Sequence, residues 1–151
     1  MRIYLFMIAL LSLSGFIACK ENDLIPQTRN YSNGNKQATY FTNKKGEIMG
    51  TYTEYFQSGK VQSLKEFDRN LEVGKATFYY ESGQLREVQY FKDGKKHGGD
   101  TLYDVSGRIR NLSNFNDGKM QGTFIKFKDG TDSIDLETTY VNDSLISVKK
   151  H

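Results

Sequence analysis

Three aspartates, Asp129, Asp132 and Asp135, are the densest set of ligating side chains in this 151-residue sequence. Oxygen donors of this kind suit a hard cation such as calcium. Their spacing does not match the calcium loop with its distal glutamate, so a solvated turn accounts for them better. The two histidines, His97 and His151, have no neighbouring cysteine and no clustered acid, which makes them a poor metal pair. Serines fall mostly at turn positions and none stands in a Gly-x-Ser-x-Gly elbow. The one thiol is Cys19. No nucleophile–base pair can be assembled from this inventory. The sequence therefore predicts a chain that is not an enzyme and needs neither metal nor cofactor.

Charge narrows the partners. The formal net charge is +3, and it falls to +2 without residues 1–18, whose only charged residue is Arg2. Lys95, Lys96 and His97 with Arg108 and Arg110 make a basic rim near turns, where charges usually just hydrate. Such a balance gives no field of either sign large enough to point to nucleic acid. Apolar content is mostly Tyr and Phe, with no Trp and a single Pro, which favours strands over helices.

The chain opens with Met1-Arg2 and an apolar run, Ile3 to Ile17. That run is shorter than the roughly 20 residues a membrane span requires and has the length of a secretory h-region. It ends in Ala18 immediately before Cys19. This junction resembles the lipobox of bacterial lipoprotein signal peptides. The resemblance implies removal of residues 1–18, acylation of Cys19 and attachment to a membrane of the cell envelope through the N-terminal lipid. An ordinary secretory leader and a retained anchor are the two other readings of the segment. Lys20-Glu21-Asn22-Asp23 resembles an export tag that sends lipoproteins to the cell exterior, and it also reads as a plain solvated linker. Residues 19–36 carry Asn, Gln, Ser, Thr, charge and Pro26 with no apolar period, and are expected to form a flexible tether. Order is expected over residues 37–151.

That remaining segment is one unit written several times. Gly50, Gly74, Gly98 and Gly122 recur every 24 residues, and so do Gly59, Gly83 and Gly107. Tyr55, Tyr79, Tyr103 and Phe127 keep the same phase, as do Val61, Leu85 and Ile109, then Leu64, Val88 and Leu112, then Phe67, Phe91 and Phe115. Recurrence in so many columns marks a repeat architecture. Ser58-Gly59, Ser82-Gly83 and Ser106-Gly107 read as one set of turns. Asp93-Gly94 and Asp117-Gly118 read as the return turns, with Arg69-Asn70 in the equivalent place. Two strands and two turns per unit predict an all-β, elongated antiparallel meander of β-hairpins. The last unit breaks phase after Gly122 and is expected to be an irregular capping hairpin with a final short strand near Leu145 to Val148.

Equivalent residues of successive hairpins lie about 9.6 Å apart across such a sheet. Tyr55, Tyr79, Tyr103 and Phe127 are therefore expected to line up, with the Val61 and Phe67 columns filling the same face. The opposite face mixes Tyr52, Glu54 and Phe56 with Ala76, Phe78 and Tyr80, then with charged residues later in the chain. Tyr52, Phe56, Phe78 and Tyr80 are the candidate binding surface, against the alternative of a packed face covered by curvature or by the N-terminal strands. The unit GKATFYYESGQLREVQYFKDGKKHG resembles the second variant of the MORN repeat, and coverage runs from about Gln37 to Val141. Bacterial proteins so built are often labelled YwqK-family antitoxins. The resemblance implies the hairpin fold and a protein-binding role, either scaffold or antitoxin-like neutraliser, and brings no catalytic residues. A glycan- or lipid-headgroup-binding module, with aromatic faces stacking on sugars, is the alternative.

Overall fold

The computed structural model describes residues 24–151. The leader, Cys19 and the export-tag segment lie outside the described residues. Twelve strands follow one another along the chain: β1 (Ile25–Asn30), β2 (Lys36–Thr42), β3 (Ile48–Tyr55), β4 (Val61–Asp68), β5 (Leu71–Tyr79), β6 (Leu85–Lys92), β7 (Lys95–Tyr103), β8 (Ile109–Asn116), β9 (Lys119–Met120), β10 (Gly122–Phe127), β11 (Ile134–Val141) and β12 (Ser144–Lys150). They form a single antiparallel sheet in chain order, with short β9 lying off the main path against β8. The expected all-β meander of hairpins is the fold.

One boundary differs from expectation. Ile25–Asn30, placed by the sequence in a tether, is a strand paired along its length with β2, from Ile25 opposite Thr42 to Asn30 opposite Lys36. The turn between them is built like those of the later units. Tyr31 N–H donates to Asn35 O at 2.9 Å and Gly34 N–H to Tyr31 O at 3.0 Å. Tyr80 N–H donates to Gln84 O and Gly83 N–H to Tyr80 O in the same pattern. Tyr31-Ser32-Asn33-Gly34 is thus an earlier copy of Tyr80-Glu81-Ser82-Gly83. The hairpins are also bolted to one another at this end. Tyr31 Oη donates to Tyr55 O, and Tyr80 Oη to Tyr103 O, each at 2.7 Å.

At the other end the turn after β2, Asn43 to Gly46, keeps the first pattern, but the return turns after β4, β6, β8 and β11 are two-residue loops with both central residues at positive φ. Arg69 and Asn70 sit at 48° and 67°, Asp93 and Gly94 at 50° and 77°, Asp117 and Gly118 at 49° and 83°, and Asn142 and Asp143 at 50° and 68°. This is the mirror-image turn whose twist matches that of paired strands. Each turn also reaches back to the preceding hairpin: Asn70, Gly94 and Gly118 N–H donate to Ile48, Glu72 and Lys96 O, at 2.8–3.0 Å.

The period-24 glycine column is a bulge inside the strands. The pairing of β4 with β5 slips between Leu64–Thr77 and Glu66–Val73, across Gly74. The same slip crosses Gly50 and Gly98. Such bulges bend a strand and raise its twist, which suits an open sheet longer than the roughly ten strands that usually stay uncurled.

Cross-strand partners point to the same face, so the pairing sorts the side chains. One face, the Tyr52 face, holds Tyr52 opposite Lys65, Ala76 opposite Gln89 and Asp100 opposite Ser113. The other, the Tyr79 face, holds Tyr55 opposite Val61, Tyr79 opposite Leu85 and Tyr103 opposite Ile109. Phe67, Phe91 and Phe115 pair with Gly50, Gly74 and Gly98 and so belong to the Tyr52 face. This corrects the expectation that they share a face with the Val61 column. A second bulge, between Glu54 and Tyr55 and repeated in later hairpins, inserts one residue and reverses the alternation between Val61 and Phe67.

Candidate functional surface

The two faces differ in cover. Every buried side chain among the described residues lies on the Tyr52 face: Ala38, Thr42, Tyr52, Ser63, Ala76, Gln89, Asp100 and Thr138. Tyr52, 8% exposed, is held between Tyr40 of β2, stacked with ring centroids 5.0 Å apart, and Phe67 of β4 at 5.5 Å. The cover comes from rings on the neighbouring strands β2 and β4 of the same sheet. Ala76 is fully buried.

The four residues expected to bind a partner are therefore placed as follows. Tyr52 is core. Phe78 is half-buried between two cations, Lys65 Nζ at 5.6 Å and the Arg86 guanidinium at 5.4 Å from its ring. Phe56 and Tyr80 open equivalent hairpin turns, with their amides bonded to Lys60 O and Gln84 O, and the Tyr80 hydroxyl is engaged by the next hairpin. They do not form one exposed aromatic patch.

Charge on the Tyr52 face is paired, across strands at Glu54–Lys65 and along β7 at Lys96–Asp100. Ser63 Oγ donates to Glu54 Oε2 at 2.6 Å, and Lys65 Nζ lies 2.9 Å from the same oxygen. Burial pushes the Glu54 carboxyl up, but Ser63 and Lys65 together outweigh it and hold the group below its ordinary pKa. Lys96 Nζ bonds Asp100 Oδ2 at 2.8 Å and lies 4.8 Å above the Phe115 ring. Glu72 is the exception. Its Oε1 is buried with no hydrogen-bond partner, and burial drives its pKa up, with Glu54 adding to the effect and Lys65 and Lys96 opposing it.

A stability consequence follows with a definite sign. A carboxyl whose folded pKa exceeds its unfolded value favours folding only while protonated, and stability is lost as pH rises through that window. Glu72→Gln is expected to raise the melting temperature at pH 7. The gain should fade as pH falls below the ordinary glutamate range, where wild-type Glu72 is neutral in both states. Thermal unfolding of both proteins at pH 7 and pH 3 checks this; equal gains at the two pH values would contradict it.

The Tyr79 face is left more open. Leu64, Tyr90 and Ile109 are 37%, 45% and 36% exposed, and Phe41 is exposed at the β2 end. Tyr55, Tyr79, Tyr103 and Phe127 line up along it, as expected, but half-buried rather than enclosed. Between the Ser58-Gly59 and Ser82-Gly83 turns lies a solvent-open groove of about 600 Å³, floored by Val61, Leu64 and Tyr79 and edged by Lys60. Lys60 Nζ crosses to Glu81 O at 3.0 Å, tying the two turns together. Toward β1 the face becomes rich in threonine, with Thr28, Thr39, Thr51 and Thr53 around a smaller hollow.

The polar clusters singled out in the sequence do not converge. Asp129 is bonded to Arg110, and Asp135 lies 3.2 Å from Lys126. His97 Nδ1 is 3.5 Å from Asp117, and His151 Nε2 is 3.1 Å from Glu137. Among the described residues no three His, Cys, Asp or Glu side chains gather where they could hold a metal ion. The basic rim is dispersed likewise, Lys96 to Asp100 and Arg108 to Gly130 O.

No family model matches this chain, and no curated protein matches it. Among solved structures, the GtfA/B complex bound to UDP and GlcNAc is similar with a TM-score of 0.40 at 11% identity. That alignment covers 83% of this chain and 24% of the other, so the chain spans about a quarter of that protein's length.

Proposed function

We propose that this chain is a non-catalytic, lipid-anchored envelope protein whose hairpin array binds another protein through the Tyr79 face. The observation that carries the reading is the single layer. Strands touch their sheet neighbours and no second sheet or helix covers the Tyr79 face among the described residues. An exposed apolar surface on a soluble domain marks an interaction site more often than a defect. Here it is a regular one, with Tyr55, Tyr79 and Tyr103 repeating at the spacing of the hairpins and the Val61–Leu64–Tyr79 groove between turns able to take a side chain. The likeness of the repeat to the second MORN variant fits a protein-binding role, as scaffold or antitoxin-like neutraliser. Acylated Cys19 would supply the membrane attachment, since two or more acyl chains hold stably where one does not.

The experiment is capture from detergent-solubilised membranes with the tagged chain. Wild type is expected to retain a specific protein. Leu64→Asp with Ile109→Asp should reduce that protein at least about tenfold, equivalent to roughly 1.4 kcal/mol. Phe78→Ala, on the other face, should leave it unchanged. Failure of wild type to retain any protein above a scrambled-sequence control, or loss with Phe78→Ala alone, would overturn the proposal.

A further inference from the structure

We propose that the chain pairs with a second copy of itself along β12, forming a two-fold dimer in which the two sheets join edge to edge. Among the described residues the sheet has two unpaired edges, β1 and β12, and an uncovered edge strand is a template for another strand. All seven residues of β12 are exposed, including Leu145, Ile146 and Val148, at 55%, 61% and 53%. The segment Ser144-Leu145-Ile146-Ser147-Val148 has high strand propensity and carries no charge and no proline. The bulge at Ile146 is the one edge guard within it, and no charge or proline precedes Lys149.

Its unpaired backbone groups can be placed. His151 N–H donates to Asp135 O, and Lys149 and Ser147 oppose Glu137 and Thr139. Inward and outward groups alternate along an antiparallel strand. Lys150 and Val148 therefore direct their amide and carbonyl groups away from β11, while Ile146, unpaired where the register shifts between Thr139 and Tyr140, is the extra residue of a bulge. Val148 and Lys150 form the outward ladder, which is centred on Val148. With Val148 opposite Val148 of the second copy, Ile146 faces the aliphatic stem of Lys150, and Lys149 faces Ser147. No like charges stand directly opposite, and Lys149 keeps Glu137, 3.5 Å away.

Strand direction selects this arrangement over a filament. The main path runs β1 to β8, then β10, β11 and β12, each antiparallel to the last. That is an odd number of strands, so β1 and β12 run the same way. Head-to-tail stacking of copies would set β12 parallel to β1, a somewhat weaker pairing that breaks the antiparallel pattern. A two-fold axis at β12 sets the strands antiparallel and closes the assembly after two chains. The β1 edge is also less suitable, since Pro26 lacks an amide proton there.

Sedimentation velocity of the full chain in mild detergent tests the proposal. Wild type should sediment as a dimer with a concentration-dependent monomer. Val148→Pro removes an outward amide without touching the bonds to β11. It should raise the dissociation constant at least about tenfold while leaving the far-ultraviolet circular dichroism unchanged. Ile146→Lys, which cannot disturb backbone pairing, should do the same and covers the case in which the proline variant fails to fold. Ile25→Lys at the opposite edge should leave the dimer intact. A strictly monomeric wild type, open-ended polymers, a dimer that survives Ile146→Lys, or one dissociated by Ile25→Lys would each overturn the assignment.

Discussion

Replacing Tyr52 with alanine is expected to destabilise the sheet by about 3 kcal/mol, the usual cost of deleting a buried aromatic ring. The ring lies between Tyr40 and Phe67, on strands that flank β3, so its loss unstacks one partner and leaves a void beside the other. Stacked and tilted ring pairs contribute roughly 0.5–1.5 kcal/mol each beyond the area they bury. Tyr52→Phe keeps both contacts. No hydrogen bond to the Tyr52 hydroxyl occurs among the described residues, so the phenylalanine variant should stay within about 0.5 kcal/mol of wild type. Urea unfolding of the three proteins separates the cases: alanine should lower the midpoint without changing the slope. A midpoint loss of less than about 1 kcal/mol would mean that Tyr52 is not part of the core.

Tyr52 also shows what the sequence could and could not reveal. The 24-residue period, the two kinds of turn and the alignment of the tyrosines are local properties, set by glycine, aspartate and alternation, and they were legible. Which face is covered is not local. In a single-layer sheet neither face is sealed by a second element, so cover depends on ring-to-ring contacts between strands and on bending of the sheet. Tyr40, on a strand with a different spacing, is what closes over Tyr52. The misplaced Phe67 column has a similar cause. Counting by twos from Val61 reaches Phe67 on the same face, but one inserted residue at the Tyr55–Val61 junction reverses the parity. Bulges of this kind leave no mark in apolar periodicity.

The unforeseen β1–β2 hairpin had a signal. Tyr31-Ser32-Asn33-Gly34 carries the aromatic and the glycine of the later turns, but Gly34 precedes Gly59 by 25 residues instead of 24, and Pro26 with several polar residues hid the strand before it. A turn-centred comparison that tolerates one inserted residue would have found it. The stretch left for the expected tether is correspondingly shorter. If Cys19 is acylated, only five residues separate it from β1, which begins at Ile25. At 3.3–3.6 Å per residue the first hairpin would then stand within about 20 Å of the anchor.

The glycine column offers the second large effect, with a built-in control. Gly98 has a φ of 108°, outside the range that side chains with a Cβ adopt readily, and an added Cβ would meet Tyr90 Cβ at 3.4 Å. Its neighbour Gly99 has no positive φ and nothing within 4 Å of an added Cβ. Gly98→Ala is therefore expected to cost about 2 kcal/mol of stability, the order of a strained backbone position. Gly99→Ala should be neutral or stabilise by up to about 1 kcal/mol, through lost freedom of the unfolded chain. Unfolding midpoints compare the two. In a repeat array stability is carried by nearest neighbours, so hydrogen exchange in Gly98→Ala should quicken first across β6, β7 and β8. The pairing of β1 with β2, five strands away, should hold its protection until the whole sheet melts. A uniform loss of protection in Gly98→Ala would instead mean that the sheet unfolds as one unit and that the bulge column acts on all hairpins together.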